Sequence, residues 1–126
     1  MSYATRAVTA VETIAHVSAD LTGVGSGFLR DERLLSGLLL AAAGAAGLNA
    51  AGTPIVRVAP TGGISALLFL DPCHVSIHSL PDRGLALVDI LARDSAGAAK
   101  ALEVFVRRLV PDSVTSESWL RGGSPA

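Results

Sequence analysis

Apolar and polar residues alternate strictly over His74-Val75-Ser76-Ile77-His78. Such alternation predicts a half-buried strand, with His74, Ser76 and His78 on one face and Val75 and Ile77 on the other. Thr9 to Ser18 alternates in the same way, with Val11, Thr13, Ala15 and Val17 on one side. Thr53 to Ala59, Leu85 to Ala92 and Val114 to Leu120 read as further strands. Ile64 to Leu70 is apolar almost throughout, which predicts a central strand covered on both faces.

Two stretches change to helical spacing. Asp31 is a candidate N-cap, and Leu34, Leu35, Leu38, Leu39, Ala42 and Ala46 recur at that spacing up to Gly47, a natural stop. Asp94 or Ser95 can cap a second helix, with Ala98, Leu102, Phe105, Val106 and Leu109 inward, until Pro111 ends it. Leu21 to Gly27 is a glycine-rich connection. Breaks fall at Pro60-Thr61-Gly62-Gly63 and Asp71-Pro72, and Pro81-Asp82-Arg83-Gly84 is a turn.

The order βαββββαβ predicts an α+β fold, a two-layer α/β sandwich with a largely antiparallel sheet and two helices on one face. Its second sheet face would be bare, so a homodimer, or a hetero-oligomer with a homologue, is expected. A chain of 126 residues suits one domain spanning 1–126, with loose ends at 1–8 and 122–126.

Half of the residues are hydrophobic, 17% are charged and the formal net charge is −1. No basic run exists, which argues against a nucleic-acid partner. The apolar stretch Leu34 to Leu48 holds Ser36, Gly37, Gly44 and Gly47 and falls short of the roughly 20 residues that cross a bilayer, so no membrane partner is expected. One cysteine makes no internal disulfide, which suits a reducing cytoplasm. Gly23-Val24-Gly25-Ser26-Gly27 imitates a phosphate loop without its trailing Lys-Ser/Thr. With one cysteine and three histidines, no dedicated metal site is expected.

The candidate chemistry lies at Cys73, followed by His74 and His78. Cys73 reads either as inert packing or as a nucleophile whose proton a histidine removes. Histidine suits proton transfer because its ordinary pKa is about 6.5. Regular strand parity puts Cys73 on the face opposite His78. Contact between them requires the Pro72 break to turn the cysteine, or an approach from another strand or subunit. Glu12 and His16 share a face of the first strand and either line a pocket or meet solvent. Asp89 lies on the Leu85-Leu87-Arg93 face, where a structural contact with Arg93 would satisfy it.

The segment from Gly63 to Arg93 resembles the central motif of bacterial S-adenosylmethionine decarboxylases. That pattern runs Gly-Val-Ser-Gly, Glu-Ser-His, Thr-Ile-His, Trp-Pro-Glu and Ala-Ile-Asp, ending near a cysteine. The chain has Gly63-Ile64-Ser65-Ala66, Pro72-Cys73-His74, Ser76-Ile77-His78, Leu80-Pro81-Asp82 and Leu87-Val88-Asp89 at the same spacing, without a gap. Weaker similarity extends to Glu12–Val17 and through Trp119.

In that family the serine at the position of Cys73 attacks the preceding carbonyl, cleaves the chain and leaves a pyruvoyl group. The group holds the substrate amine and draws electrons from the departing carboxylate. The resemblance implies that Cys73 is the pyruvoyl position if the chain is processed, that His78 assists with Ser65 as its partner, and that His74 is an additional candidate.

Four features depart: serine to Cys73, its leading Glu to Pro72, the proton-donating cysteine to Arg93, and the stacking aromatic absent from Arg57-Val58-Ala59-Pro60-Thr61. A guanidinium cannot donate that proton, but it can hold a substrate carboxylate or phosphate. Arg93, Glu12 and Asp82 are therefore the candidate substrate-binding residues. The leading expectation is a repurposed enzyme on this scaffold, not self-cleaved and with no cofactor, using Cys73 and nearby histidines on a small molecule. Two alternatives stand beside it: a working pyruvoyl-dependent decarboxylase of S-adenosylmethionine or another amino acid (polyamine-type metabolism), and a catalytically silent partner subunit of an active homologue.

Overall fold

The computed structural model describes residues 13–123. The chain runs β1 (Ile14–Thr22), α1 (Ser26–Leu29), α2 (Glu32–Ala45), β2 (Ile55–Val58), β3 (Ile64–Phe69), β4 (His74–Leu80), a 3-10 turn (Pro81–Arg83), β5 (Leu85–Ala92), α3 (Ser95–Leu109) and β6 (Ser113–Arg121). The strands form one sheet in the order β2-β3-β4-β5-β1-β6, and every neighbouring pair is antiparallel. This is the expected α+β sandwich, with its helices on one face. The expected loose arm at 1–8, residue Glu12 and the last part of the 122–126 tail lie outside the described residues.

Alternation decides which side of each strand meets the helices. Ala15, Val17, Ala19 and Leu21 of β1, Val75 and Ile77 of β4, and Val88 and Ile90 of β5 point inward and are buried. They pack with Leu35, Leu38 and Leu39 of α2 and Phe105 and Leu109 of α3 in one core. Each fully buried side chain of this size contributes about 1.5–3 kcal/mol.

The helix ends follow the sequence signals. Asp31 Oδ1 accepts from the Leu34 amide at 3.0 Å, and Asp94 rather than Ser95 caps α3, accepting from the Gly97 amide at 2.6 Å. Past α2, Gly47 takes φ +74°, and the amides of Leu48 and Gly47 donate to the carbonyls of Ala43 and Gly44. Only a left-handed residue lets the chain turn back this way, which is why glycine stands there.

Two local expectations change. The connection Leu21–Gly27 leads into a one-turn helix, α1, because Val24 and Leu29 are apolar enough to be drawn into the core. β3 is not covered on both faces. Ile64, Ala66 and Leu68 are buried, but Ser65 is exposed and Phe69 is 50% exposed, because all helices pack on the other side of the sheet.

Ser79 is the one buried polar residue among the described residues. Its hydroxyl donates to the Leu29 carbonyl at 2.7 Å and accepts from the Ile64 amide at 2.9 Å. It thereby ties the end of α1 to the start of β3.

Candidate active site

The bare face of the sheet collects nearly all the side chains with chemistry. Strand register lays them out in three rows. Phe69, His74, Leu91, His16 and Trp119 form one row across β3, β4, β5, β1 and β6. Leu67, Ser76, Asp89, Ser18 and Glu117 form the next. Ser65, His78, Leu87, Asp20 and Thr115 form the third, with Arg57 of β2 opposite Ser65.

At one end of β4, His78 Nδ1 lies 2.8 Å from Ser65 Oγ. The two residues are direct cross-strand partners, so register alone brings them together. This pair lies between two hollows. One, of about 280 Å³, is lined by Ile55, Arg57, Leu67 and Ser76 beside the pair. The other, of about 560 Å³, is lined by Ala59, Thr61, Leu80, Pro81, Asp82 and Leu87 beside it. Asp82 reaches this wall, exposed, and accepts from Arg30 Nη2 at 3.1 Å; Arg30 Nη1 also donates to the Thr61 carbonyl.

Cys73 sits at the other end, in the tight connection from β3 to β4, where the Leu70 amide donates to its carbonyl at 2.9 Å. The connection contains a cis Asp71–Pro72 bond, and Cys73 takes φ +89°. A non-glycine residue in this region stores about 1–3 kcal/mol of strain. Partial burial pushes the Cys73 thiol above its usual range, and the Arg93 guanidinium acts on it in the opposite sense. Arg93 follows β5 directly, so the sulfur and the guanidinium share one end of the sheet.

Cys73 and His78 are five positions apart, about 16 Å at the usual strand rise. The Cys73 and Ser65–His78 groups are therefore separate within one chain.

Between them lies a third group. Asp89 stands with Oδ1 2.7 Å from His16 Nε2 and Oδ2 3.6 Å from His74 Nε2. His16 also meets Arg121 Nη1 through its Nδ1 at 3.3 Å and packs against Trp119, ring centroids 5.1 Å apart. The expected Asp89–Arg93 contact gives way to this one, because register puts Asp89 beside β1 and β4 and carries Arg93 past the strand end.

Sequence patterns placed His74, Ser76 and His78 on one face. They missed the roles of Arg57, Asp89 and Arg121, whose proximity depends on pairings across strands. Among the described residues no group of three or more His, Cys, Asp or Glu could hold a metal ion, and no helix is long and apolar enough to cross a membrane.

The chain is thus a two-layer α+β domain with an antiparallel sheet, a serine–histidine pair on its bare face and a lone cysteine in the β3–β4 turn. The sequence model of S-adenosylmethionine decarboxylase matches residues 15–122, and the chain belongs to that family. It is 29% identical over 108 residues to the S-adenosylmethionine decarboxylase proenzyme of Brevibacillus brevis, covering 85% of this chain and 80% of that one. It is 33% identical over 98 residues to the arginine decarboxylase proenzyme of Hyperthermus butylicus, covering 76% and 69%. The crystal structure of the Aquifex aeolicus adenosylmethionine decarboxylase superimposes with a TM-score of 0.83 at 26% identity, covering 92% of this chain and 96% of that one.

Proposed function

We propose that the chain is a repurposed member of this family that keeps its Pro72–Cys73 bond and acts on a small carboxylate-bearing substrate in a cytoplasmic setting. In this reading Arg93 anchors the carboxylate with His74 as the acid/base group at that end of the sheet, and His78 is the acid/base group of the larger hollow at the other end. Asp82 lines the wall of the larger hollow, available to a substrate amine. The observation that carries it is geometric: the Ser65–His78 pair lies about 16 Å from Cys73 along the strand, and partial burial pushes the thiol's pKa up rather than down. Self-cleavage needs a nucleophile with a base against it. Within one chain the Ser65–His78 pair, at the far end of β4, does not meet that requirement.

Intact-mass measurement of the purified protein tests this. A single species with the mass of the unbroken chain is expected. Two fragments split at Pro72–Cys73 overturn it.

A second reading draws on the bare sheet face, where Phe69 and Trp119 are 50% and 45% exposed. If a second copy, or a homologous chain, covers this face in the opposite orientation, its Ser65–His78 pair can reach Cys73. The strained φ of Cys73 then favours attack of its sulfur on the Pro72 carbonyl, which breaks the Pro72–Cys73 amide and gives a thioester. Elimination leaves Pro72 as a thiocarboxylate and position 73 as dehydroalanine, which takes up water and loses ammonia to become the pyruvoyl group for decarboxylation of an amino acid. Where the two fragments appear, a borohydride-reducible ketone on the one beginning at position 73 supports this second reading. Co-purification with an active homologue, and no turnover from the isolated chain, would instead mark a silent partner subunit.

A further inference from the structure

We infer that Arg121, His16 and Asp89 form a one-way hydrogen-bond relay that positions His74, leaving His74 as the imidazole of the cluster able to pass a proton. The assignment follows from donor and acceptor inventory. A guanidinium can only donate, and an ionised carboxylate can only accept. His16 lies between one of each: Nδ1 faces Arg121 Nη1 at 3.3 Å, and Nε2 faces Asp89 Oδ1 at 2.7 Å. Both contacts are satisfied by one state alone, the neutral ring with its hydrogen on Nε2 and its lone pair on Nδ1. An imidazolium would point an N–H at Arg121. The other tautomer would face both partners with the wrong group.

Two consequences follow. His16 has both ring nitrogens committed, and Trp119 packs against its ring, so it cannot turn to serve a substrate. Because His16 is neutral, it leaves the Asp89 charge uncancelled. Oδ2 of Asp89 is then directed at His74 Nε2, 3.6 Å away, too long for a hydrogen bond but within ion-pair range. Among the described residues no hydrogen-bond partner meets His74 Nδ1. His74 is also more open than His16, its side chain 36% exposed against 18%. It directly follows Cys73, at the end of the sheet where the family pattern has a proton-donating cysteine and this chain has Arg93. Asp89 draws the Nε2 edge of His74 toward it without a hydrogen bond and leaves the opposite nitrogen for a reacting group.

The relay stands on the geometry; its use by His74 rests on the proposed function. Long-range proton–nitrogen spectra of the full-length, 15N-labelled chain at neutral pH read the tautomers directly. His16 is expected to show the neutral Nε2–H pattern, and Arg121→Ala to release it into a mixture. An imidazolium or Nδ1–H pattern at His16 in the unaltered protein overturns the relay.

The positioning role is read from carbethoxylation by diethyl pyrocarbonate, mapped by mass spectrometry. Asp89→Asn is expected to raise the rate at His74 several-fold while His78 reacts as before, with Asp89→Glu restoring the original rate. If neither Asp89→Asn nor Arg121→Ala changes the rate at His74, Asp89 is purely structural and the role is refuted. Neither readout depends on whether the chain is cleaved, so intact mass judges the proposed function separately.

Discussion

His78 and Ser65 face each other across β3 and β4, Nδ1 to Oγ, 2.8 Å apart, at the wall shared by the two hollows. The pair is exposed, and such a hydrogen bond contributes only about 0.5–1.5 kcal/mol to stability. Acid/base groups, in contrast, are worth about 10²–10⁴-fold in rate. His78→Ala is therefore expected to remove most turnover while shifting the melting temperature by a few degrees at most. Calorimetry beside a turnover assay separates the two effects, and a collapse of stability would reassign the pair to the scaffold.

Ser79 predicts the reverse. Its hydroxyl is buried and bridges the Leu29 carbonyl and the Ile64 amide. Ser79→Ala leaves both groups dry and unpaired, at about 1–3 kcal/mol. Urea denaturation should show a lower midpoint with an unchanged slope.

Gly63 is required for space. A Cβ there would lie 2.8 Å from the Ser79 carbonyl oxygen, which is backbone and cannot swing aside. Gly63→Ala is expected to cost about 1–3 kcal/mol through forced backbone shifts. It should also disturb the neighbouring Ser65–His78 pair, read as changed chemical shifts at His78.

Cys73 carries a pH dependence with a definite sign. Burial raises its folded-state pKa above the unfolded value of 9.0. The folded state thus holds the proton more tightly. The associated stability is fully present below the unfolded pKa and is lost as pH rises through the higher folded value. In the native protein at pH 8, alkylation by iodoacetamide should be slower than for a free thiol. Arg93→Ala, which removes the charge that favours thiolate, should slow it further. Faster alkylation in that variant would show that Arg93 does not act on the sulfur.

The bare sheet face predicts assembly. Phe69 and Leu87 project from it, 50% and 37% exposed. A second copy lying on this face would remove both side chains from water. Sedimentation is expected to find a dimer that Phe69→Glu dissociates without loss of secondary structure. A monomer at high protein concentration would refute the covered face.

Much of the scaffold was legible because its signals are local. The period of 3.6 in Leu35, Leu38, Leu39 and Ala42, the caps Asp31 and Asp94, and the stop at Gly47 each depend on a few neighbouring residues. Alternation over residues 74–78 likewise placed His74, Ser76 and His78 on one face. The covering of β3 was misjudged for a related reason. An apolar run states that a strand tolerates burial on both faces, but not that a second layer exists.

The sequence by itself determined which residues within each strand share a side, where helices begin and end, and that sulfur and imidazole lie close along the chain. Only the tertiary structure decided which strands lie side by side and in what register. That choice brought His16 to Asp89 across 73 residues and paired Ser65 with His78. Periodicity is a property of the local backbone. Register is fixed by burying the whole hydrophobic set at once, since a slip of one residue would turn every core side chain of a strand to solvent.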